Sequence, residues 1–148
     1  MKNLEEVLAA WDIDSKLPKS QLDEASRVTP SFHAKYLAVL AQTKLRMRKA
    51  EMDQKSLLKL KWLWYNGKMD DDQVRELGWE FDPLNGLKVM KGEMDYYYDS
   101  DPEIQASEMK VLYLKTMIDT LTEIVNNLNW RHQTIGNMIK WRAFEAGN

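Results

Sequence analysis

Apolar and polar positions alternate with helical periods over most of the chain. Leu4, Val7, Leu8 and Trp11 recur at i, i+3, i+4 and i+7, the spacing of one helical face, so a short amphipathic helix opens the sequence. Pro18 interrupts it. Ser20 with Asp23 three residues on resembles a capping box and starts a second short helix, whose apolar positions are Leu22, Ala25 and Val28. Thr29-Pro30 reads as a restart, because Thr caps well and Pro suits the first helical position. From there to Tyr65 no Gly and no further Pro occurs, and strong helix formers dominate. The pattern predicts one long helix over about 30–65, closed by Asn66-Gly67.

Residues 68–101 are punctuated by Gly78, Pro83, Gly86 and Gly92. Asn85-Gly86 is a candidate hairpin turn and equally a candidate loop. Tyr96-Tyr97-Tyr98 reads as a strand or as the lead-in to the next helix. Asp101-Pro102-Glu103 is a strong helix start, with a cap, a Pro at the first position and an acid near the positive helix end. The second long helix is predicted over about 102–131, and its register carries on beyond. Val111, Leu114, Ile118, Leu121, Val125 and Leu128 alternate spacings of three and four, and the same register passes His132, Ile135 and Ile139. Leu112, Met117 and Ile124 add a second stripe. Two stripes predict packing on the other long helix and also on another subunit. The expected fold is therefore mainly α: two long helices, short helices, an irregular middle segment that holds at most a small hairpin, and self-association through the C-terminal helical region, Phe144 included. A single domain of 1–148 divides into N-terminal helices (1–68), an acidic segment (69–101) and oligomerisation helices (102–148).

Composition changes this picture mainly by exclusion. Cysteine is absent, so there is no disulfide framework and no thiolate metal site. No stretch approaches the roughly 20 apolar residues that span a bilayer, and Met1–Ser15 has no basic leader character. Both point to the cytoplasm. GxxxxGK[ST], GxGxxG and GxSxG are all missing. His33 and His132 stand alone, and Asp70-Asp71-Asp72 lacks the alternating acids, central Gly and closing Glu of a calcium loop. No cofactor, no metal and no catalytic residue is expected.

Charge is more informative than its total of −2. Residues 35–68 hold nine Lys/Arg against two Asp/Glu, while residues 69–103 hold three against eleven. One reading is a basic helix neutralised by an acidic neighbour. The other is a binding track. Lys44, Arg48, Lys55 and Lys59 fall close to one helical line, Arg46 and Lys61 are read as widening it, and Lys49 adds to the cluster. Trp62, Trp64 and Tyr65 follow at once. Cations draw a phosphate backbone and aromatic rings stack on unpaired bases, a pairing that favours single-stranded DNA over duplex. Helical aromatics are also commonly core.

Several runs resemble a known family. Trp141-Arg142-Ala143-Phe144-Glu145-Ala146-Gly147 is similar to the C-terminus of the UvsY recombination mediators of T-even-like phages. So are Ile13-Asp14-Ser15, Leu58-Lys59-Leu60-Lys61 and Tyr65-Asn66-Gly67, in the same order along nearly the whole chain. Arg131-His132-Gln133 departs from the Arg-Gly-Phe of the pattern. The resemblance implies a homo-oligomeric ring, a hexamer or heptamer, that binds single-stranded DNA. It implies a role in DNA recombination, repair and replication: loading a RecA-like recombinase onto DNA coated by the phage single-strand-binding protein, without an ATPase of its own. By motif match, Lys59 and Lys61 inherit DNA contact, and the family's C-terminal helix drives assembly; Trp64 and Tyr65 are candidate stacking residues on the charge and aromatic pattern alone. The competing readings are a coiled-coil scaffold with no DNA role and a Mg²⁺-dependent nuclease built on Asp70–Asp72.

Overall fold

A computed structural model describes residues 1–147. Among them are five helices and no strand: α1 (Leu4–Asp14), α2 (Leu22–Tyr65), α3 (Asp71–Leu77), α4 (Met94–Ser100) and α5 (Pro102–Glu145). The mainly helical fold read from the sequence is the observed one. The chain forms two compact units, Met1–Arg46 with the chain from Leu114 on, and Met47–Tyr113. The boundaries fall inside α2 and α5, not at the ends of the acidic segment.

In the first unit, α1 begins at Asn3, whose side chain accepts from the Glu6 N–H at 2.8 Å. Its apolar face meets α2 and α5 in a core of Val7, Tyr36, Leu40, Met117, Leu121, Ile124 and Leu128. Leu22, Ala25 and Ile135 form a second, smaller cluster. The end of α1 is tied down by polar contacts. Asp14 accepts from Lys35 Nζ at 2.6 Å and from the Tyr36 hydroxyl at 2.9 Å. Burial first, and then the Asp14 carboxylate, push the Tyr36 hydroxyl well above its ordinary range. The buried Arg131 donates to the carbonyl of Asp14 (2.8 Å), which the helix end leaves unpaired, and to that of Lys16 (3.4 Å) just beyond it. Ile13-Asp14-Ser15, part of the family resemblance, is thus an anchoring corner.

Two helix boundaries differ from the sequence reading, and two open alternatives are settled. Thr29-Pro30 does not restart a helix: Pro30 lies inside α2. Proline removes one backbone donor and crowds the carbonyl of Ser26, but both residues are exposed, so water can satisfy that carbonyl. Buried Leu22 and Ala25 on one side and Tyr36 and Leu40 on the other hold the helix in one piece. Likewise α5 passes Arg131-His132-Gln133 and Gly136 without a break and runs to Glu145. The candidate hairpin is a loop: the Asp82 carboxylate accepts from the Gly86 N–H at 2.8 Å, and Asp82, Asn85 and Gly86 all have positive φ. The tyrosine run is helical, in α4.

The second unit consists of α3, α4 and the α2 and α5 segments between Met47 and Tyr113. Ala50, Val74 and Ile104 are its buried aliphatics, and Lys61 and Asp101 are buried with them. Asp70 sits at the N-cap position of α3, with Asp71 and Asp72 in its first turn, and Arg75 lies 3.2 Å from Asp72. The acidic run is therefore helix-terminal charge. Among the described residues no cluster of three or more His, Asp or Glu could hold a metal ion, and no helix is long and apolar enough to cross a membrane.

Candidate nucleic-acid interface

Within the second unit, Arg48, Met52, Lys55, Lys59, Trp62 and Asn66 follow one another at spacings of four and three. At 100° per residue these stay within about 40° of one line along α2. Arg48, Met52, Lys55, Lys59 and Trp62 are all exposed. From Arg48 to Trp62 the line runs roughly 20 Å. Lys55 and Lys59 pair with no carboxylate among the described residues. Arg48 lies 3.8 Å from Glu51 and Lys49 3.0 Å from Asp53. Both pairs are exposed single-turn pairs of the kind that contribute little and exchange readily.

Lys61 is not on this line. Two positions beyond Lys59 is about 200° around a helix, so Lys61 points to the other side. There it is 2% exposed. Its ammonium lies 3.1 Å from Asp101 Oδ2 and 3.3 Å from Glu103 Oε1, with the rings of Trp79 and Trp64 at 4.0 and 4.6 Å. A phosphate has no path to it in this arrangement. The expectation that Lys61 widens an exposed track fails for a reason present in the spacing itself. Arg46 stands in the same angular relation to Arg48. It belongs to the first unit, where it donates to the Lys2 carbonyl at 3.0 Å. Lys44, also of the first unit, is exposed.

Asp101 organises the inner side. Its Oδ1 accepts from the N–H groups of Glu103 (3.0 Å) and Ile104 (3.1 Å) and so caps α5, while Oδ2 accepts from the Tyr65 hydroxyl at 2.6 Å. Burial acts to raise the Asp101 carboxyl, but the Tyr65 hydroxyl, the Ile104 N–H and the Lys61 ammonium together hold it below its ordinary value. Burial, then Asp101 and Glu103, push the Tyr65 hydroxyl well up. The Tyr65 ring leans on Tyr97 (5.5 Å) and on Trp64 (4.8 Å); Trp64 also meets Trp79 (5.0 Å) and donates its indole N–H to the Glu80 carbonyl at 2.7 Å. Trp64 and Tyr65, singled out from sequence as stacking candidates, are thus engaged in holding the unit together.

The aromatic on the exposed line is Trp62. It is 40% exposed, and Lys68 Nζ lies 4.7 Å from its ring centroid. Lys68 is placed by the closure of α2. Gly67, at φ +66°, lets its own N–H reach the Trp64 carbonyl (3.2 Å) and the Lys68 N–H reach the Leu63 carbonyl (2.8 Å). Sequence reasoning grouped three aromatics together; helical angle separates Trp62 from Trp64, about 200° away, while Tyr65, about 60° from Trp62, is set apart by its contacts with Asp101 and Tyr97.

The residues expected to drive assembly also divide. Leu114, Leu121, Leu128 and Ile135 are buried in the chain itself, and Val111, Ile118 and Val125 are half-buried. The register read as an intersubunit seam is mostly this chain's own core from Leu114 on. Ile139 and Phe144 are 51% and 70% exposed, and Trp141, edge-on to Phe144 at 5.8 Å, is exposed beside them.

The model of the family described as "Recombination, repair and ssDNA binding protein UvsY" matches residues 10–148. Crystal structures of the bacteriophage T4 recombination mediator protein UvsY share the fold. One in lattice type II has a TM-score of 0.80 at 21% identity over 99% of both chains. Another in lattice type I has 0.77 at 22% identity, over 96% of this chain and 98% of that one. A third, in lattice type IV, has 0.80 at 20% identity over the same shares. No curated protein sequence matches the chain.

Proposed function

The chain belongs to the UvsY family of recombination, repair and single-stranded-DNA-binding proteins, and on that premise we propose that it is a recombination mediator without catalysis of its own. It binds single-stranded DNA and promotes loading of a RecA-like recombinase onto strands coated by the phage single-strand-binding protein, in the cytoplasm of the infected bacterium. The observation that carries the DNA reading is the exposed row Arg48, Lys55 and Lys59, whose two lysines have no acidic partner among the described residues. Unneutralised cations on an open helix face attract a phosphate backbone and release its counterions.

One such row makes few contacts and binds weakly. A ring of six or seven copies multiplies it, because each further contact is made at high effective concentration. The exposed apolar residues Ile139, Trp141 and Phe144 are the surface for that assembly. A strand following the ring is pulled away from its straight path on the coat protein and offered to the recombinase. Lys61 serves this reading indirectly, by fixing the inner side of the helix whose outer side carries Lys59.

Anisotropy titrations of a labelled single-stranded oligonucleotide over a salt series test it. Binding should weaken with salt by about 0.7 log units per log unit of salt for each phosphate neutralised, and Lys55→Ala with Lys59→Ala should flatten the slope by about 1.4 per subunit row engaged. Absence of binding by the unaltered protein at low salt would leave the coiled-coil scaffold as the better reading.

A further inference from the structure

We propose that Trp62 is the base-stacking residue of this interface, the group that lets it distinguish a strand with accessible bases from a bare phosphate chain. The proposal rests on the single-stranded-DNA reading above and adds to it a residue and a role.

Three observations converge. First, Trp62 shares a helix face with Arg48, Lys55 and Lys59, one turn beyond Lys59, and that face is exposed throughout. A large apolar ring on a cationic outer face is not accounted for by the unit's interior, whose aromatic packing is supplied by Trp64, Tyr65, Trp79 and Tyr97. Second, 40% of the residue is open to solvent, so part of the indole surface is available. Third, Lys68 stands at the ring, 4.7 Å from its centroid, and has no carboxylate partner among the described residues. The Gly67 closure fixes its backbone there. The ring is therefore bracketed by two cations, Lys59 before it along the helix and Lys68 beside it. A nucleotide whose base lies on the indole would have its flanking phosphates beside those ammonium groups. Stacking on an aromatic ring needs an unpaired base and accepts any of the four, which matches a protein that must follow a strand regardless of sequence. Paired bases in a duplex offer no such face.

The test compares two labelled probes of equal length, oligo(dT) and an abasic strand that keeps sugar and phosphate but has no bases. The unaltered protein should prefer oligo(dT) by about 10-fold. Trp62→Leu keeps apolar bulk and removes the ring; it should bring oligo(dT) down to the abasic level, leave abasic binding and the salt slope unchanged, and keep the melting curve of the parent. Trp62→Phe should retain most of the preference. Lys55→Ala with Lys59→Ala should weaken both probes alike and flatten the slope. Should Trp62→Leu keep the full preference for bases while the lysine variant still weakens both probes, Trp62 is not the stacking residue and the DNA reading survives. Should the unaltered protein bind neither probe, the DNA reading itself falls, and this one with it.

Discussion

Lys61 and Asp101 face each other at 3.1 Å with both residues only 2% exposed. Taking two charges out of water is costly, and their attraction offsets this only when the remaining hydrogen-bonding capacity is used. Here it is: Asp101 accepts from Tyr65 and two backbone N–H groups, and Lys61 also reaches Glu103 and two indole faces. Removing one partner strands the other. Lys61→Ala is expected to destabilise the protein by about 3–5 kcal/mol in urea unfolding, while exposed Lys59→Ala should change stability by no more than about 0.5 kcal/mol. Under conditions where Lys61→Ala is folded, its salt slope for single-stranded DNA should equal the parent's. A parent-like stability with a flattened slope would instead mean that Lys61 meets phosphate.

The same carboxylate sets an acid limit. Its folded-state value is held below the 3.8 of an unperturbed aspartate, so the unfolded chain takes up the proton first as pH falls. Asp101 therefore contributes its full stability above that value, and the contribution is lost as pH drops through the lowered folded value. Urea midpoints measured from pH 6 downward should fall more steeply below about pH 4 for the parent than for Asp101→Asn. Parallel curves for the two proteins would show that the native state does not favour the ionised Asp101.

Arg131 performs a comparable task at the end of α1. Its guanidinium donates to the carbonyls of Asp14 and Lys16 and lies 5.5 Å from the Phe32 ring, while its Nε has no hydrogen-bond partner among the described residues. Burial lowers its proton affinity from the ordinary value. Arg131→Met preserves much of the stem packing but leaves the Asp14 and Lys16 carbonyls, whose bonds to Arg131 are part-buried, short of that donor. A loss of about 2–3 kcal/mol is expected, with α1 exchanging its amide hydrogens faster than α5 does. Uniform exchange across both helices would contradict the view that Arg131 secures α1 in particular.

How far such features were legible depended on whether they were local. The first helix and the two long ones followed from periodicity and from the Asp101-Pro102-Glu103 start, because capping and spacing are properties of neighbouring residues, whereas α3 lies in a stretch read as irregular. Pro30 misled because the force that overrides it, burial of Leu22 and Ala25 before it and Tyr36 and Leu40 after it, comes from elsewhere in the fold. The separation of Lys59 from Lys61, and of Trp62 from Trp64, was available in the sequence as helical angle. The pairing of Lys61 with Asp101, 40 positions apart, was not, since nothing in either residue's neighbourhood announces the other. Arg131 is a similar case: its partners at and just beyond the end of α1 lie more than a hundred positions away. A heptad register states which residues avoid water but not whose surface covers them, and Leu121 turned out to be covered by its own chain.

Folding and assembly should depend on different residues of α5. Leu121 is fully buried, so Leu121→Asp should unfold the first unit: it forfeits roughly 2–3 kcal/mol of apolar burial and adds the larger penalty of an unpaired buried charge. Ile139 and Phe144 already face solvent within one chain, so a carboxylate at either position meets water in the isolated subunit and is penalised only where another copy covers it. Ile139→Asp with Phe144→Asp should therefore keep the helical circular-dichroism spectrum and melting profile of a folded chain while light scattering reports a smaller particle. DNA affinity should fall with it, because fewer basic rows then act together, yet the salt slope per subunit row should persist. An unchanged mass in the double variant would move the assembly surface away from the end of α5 and toward its other exposed apolar positions, of which Trp130, at 62% exposure, is the first to replace.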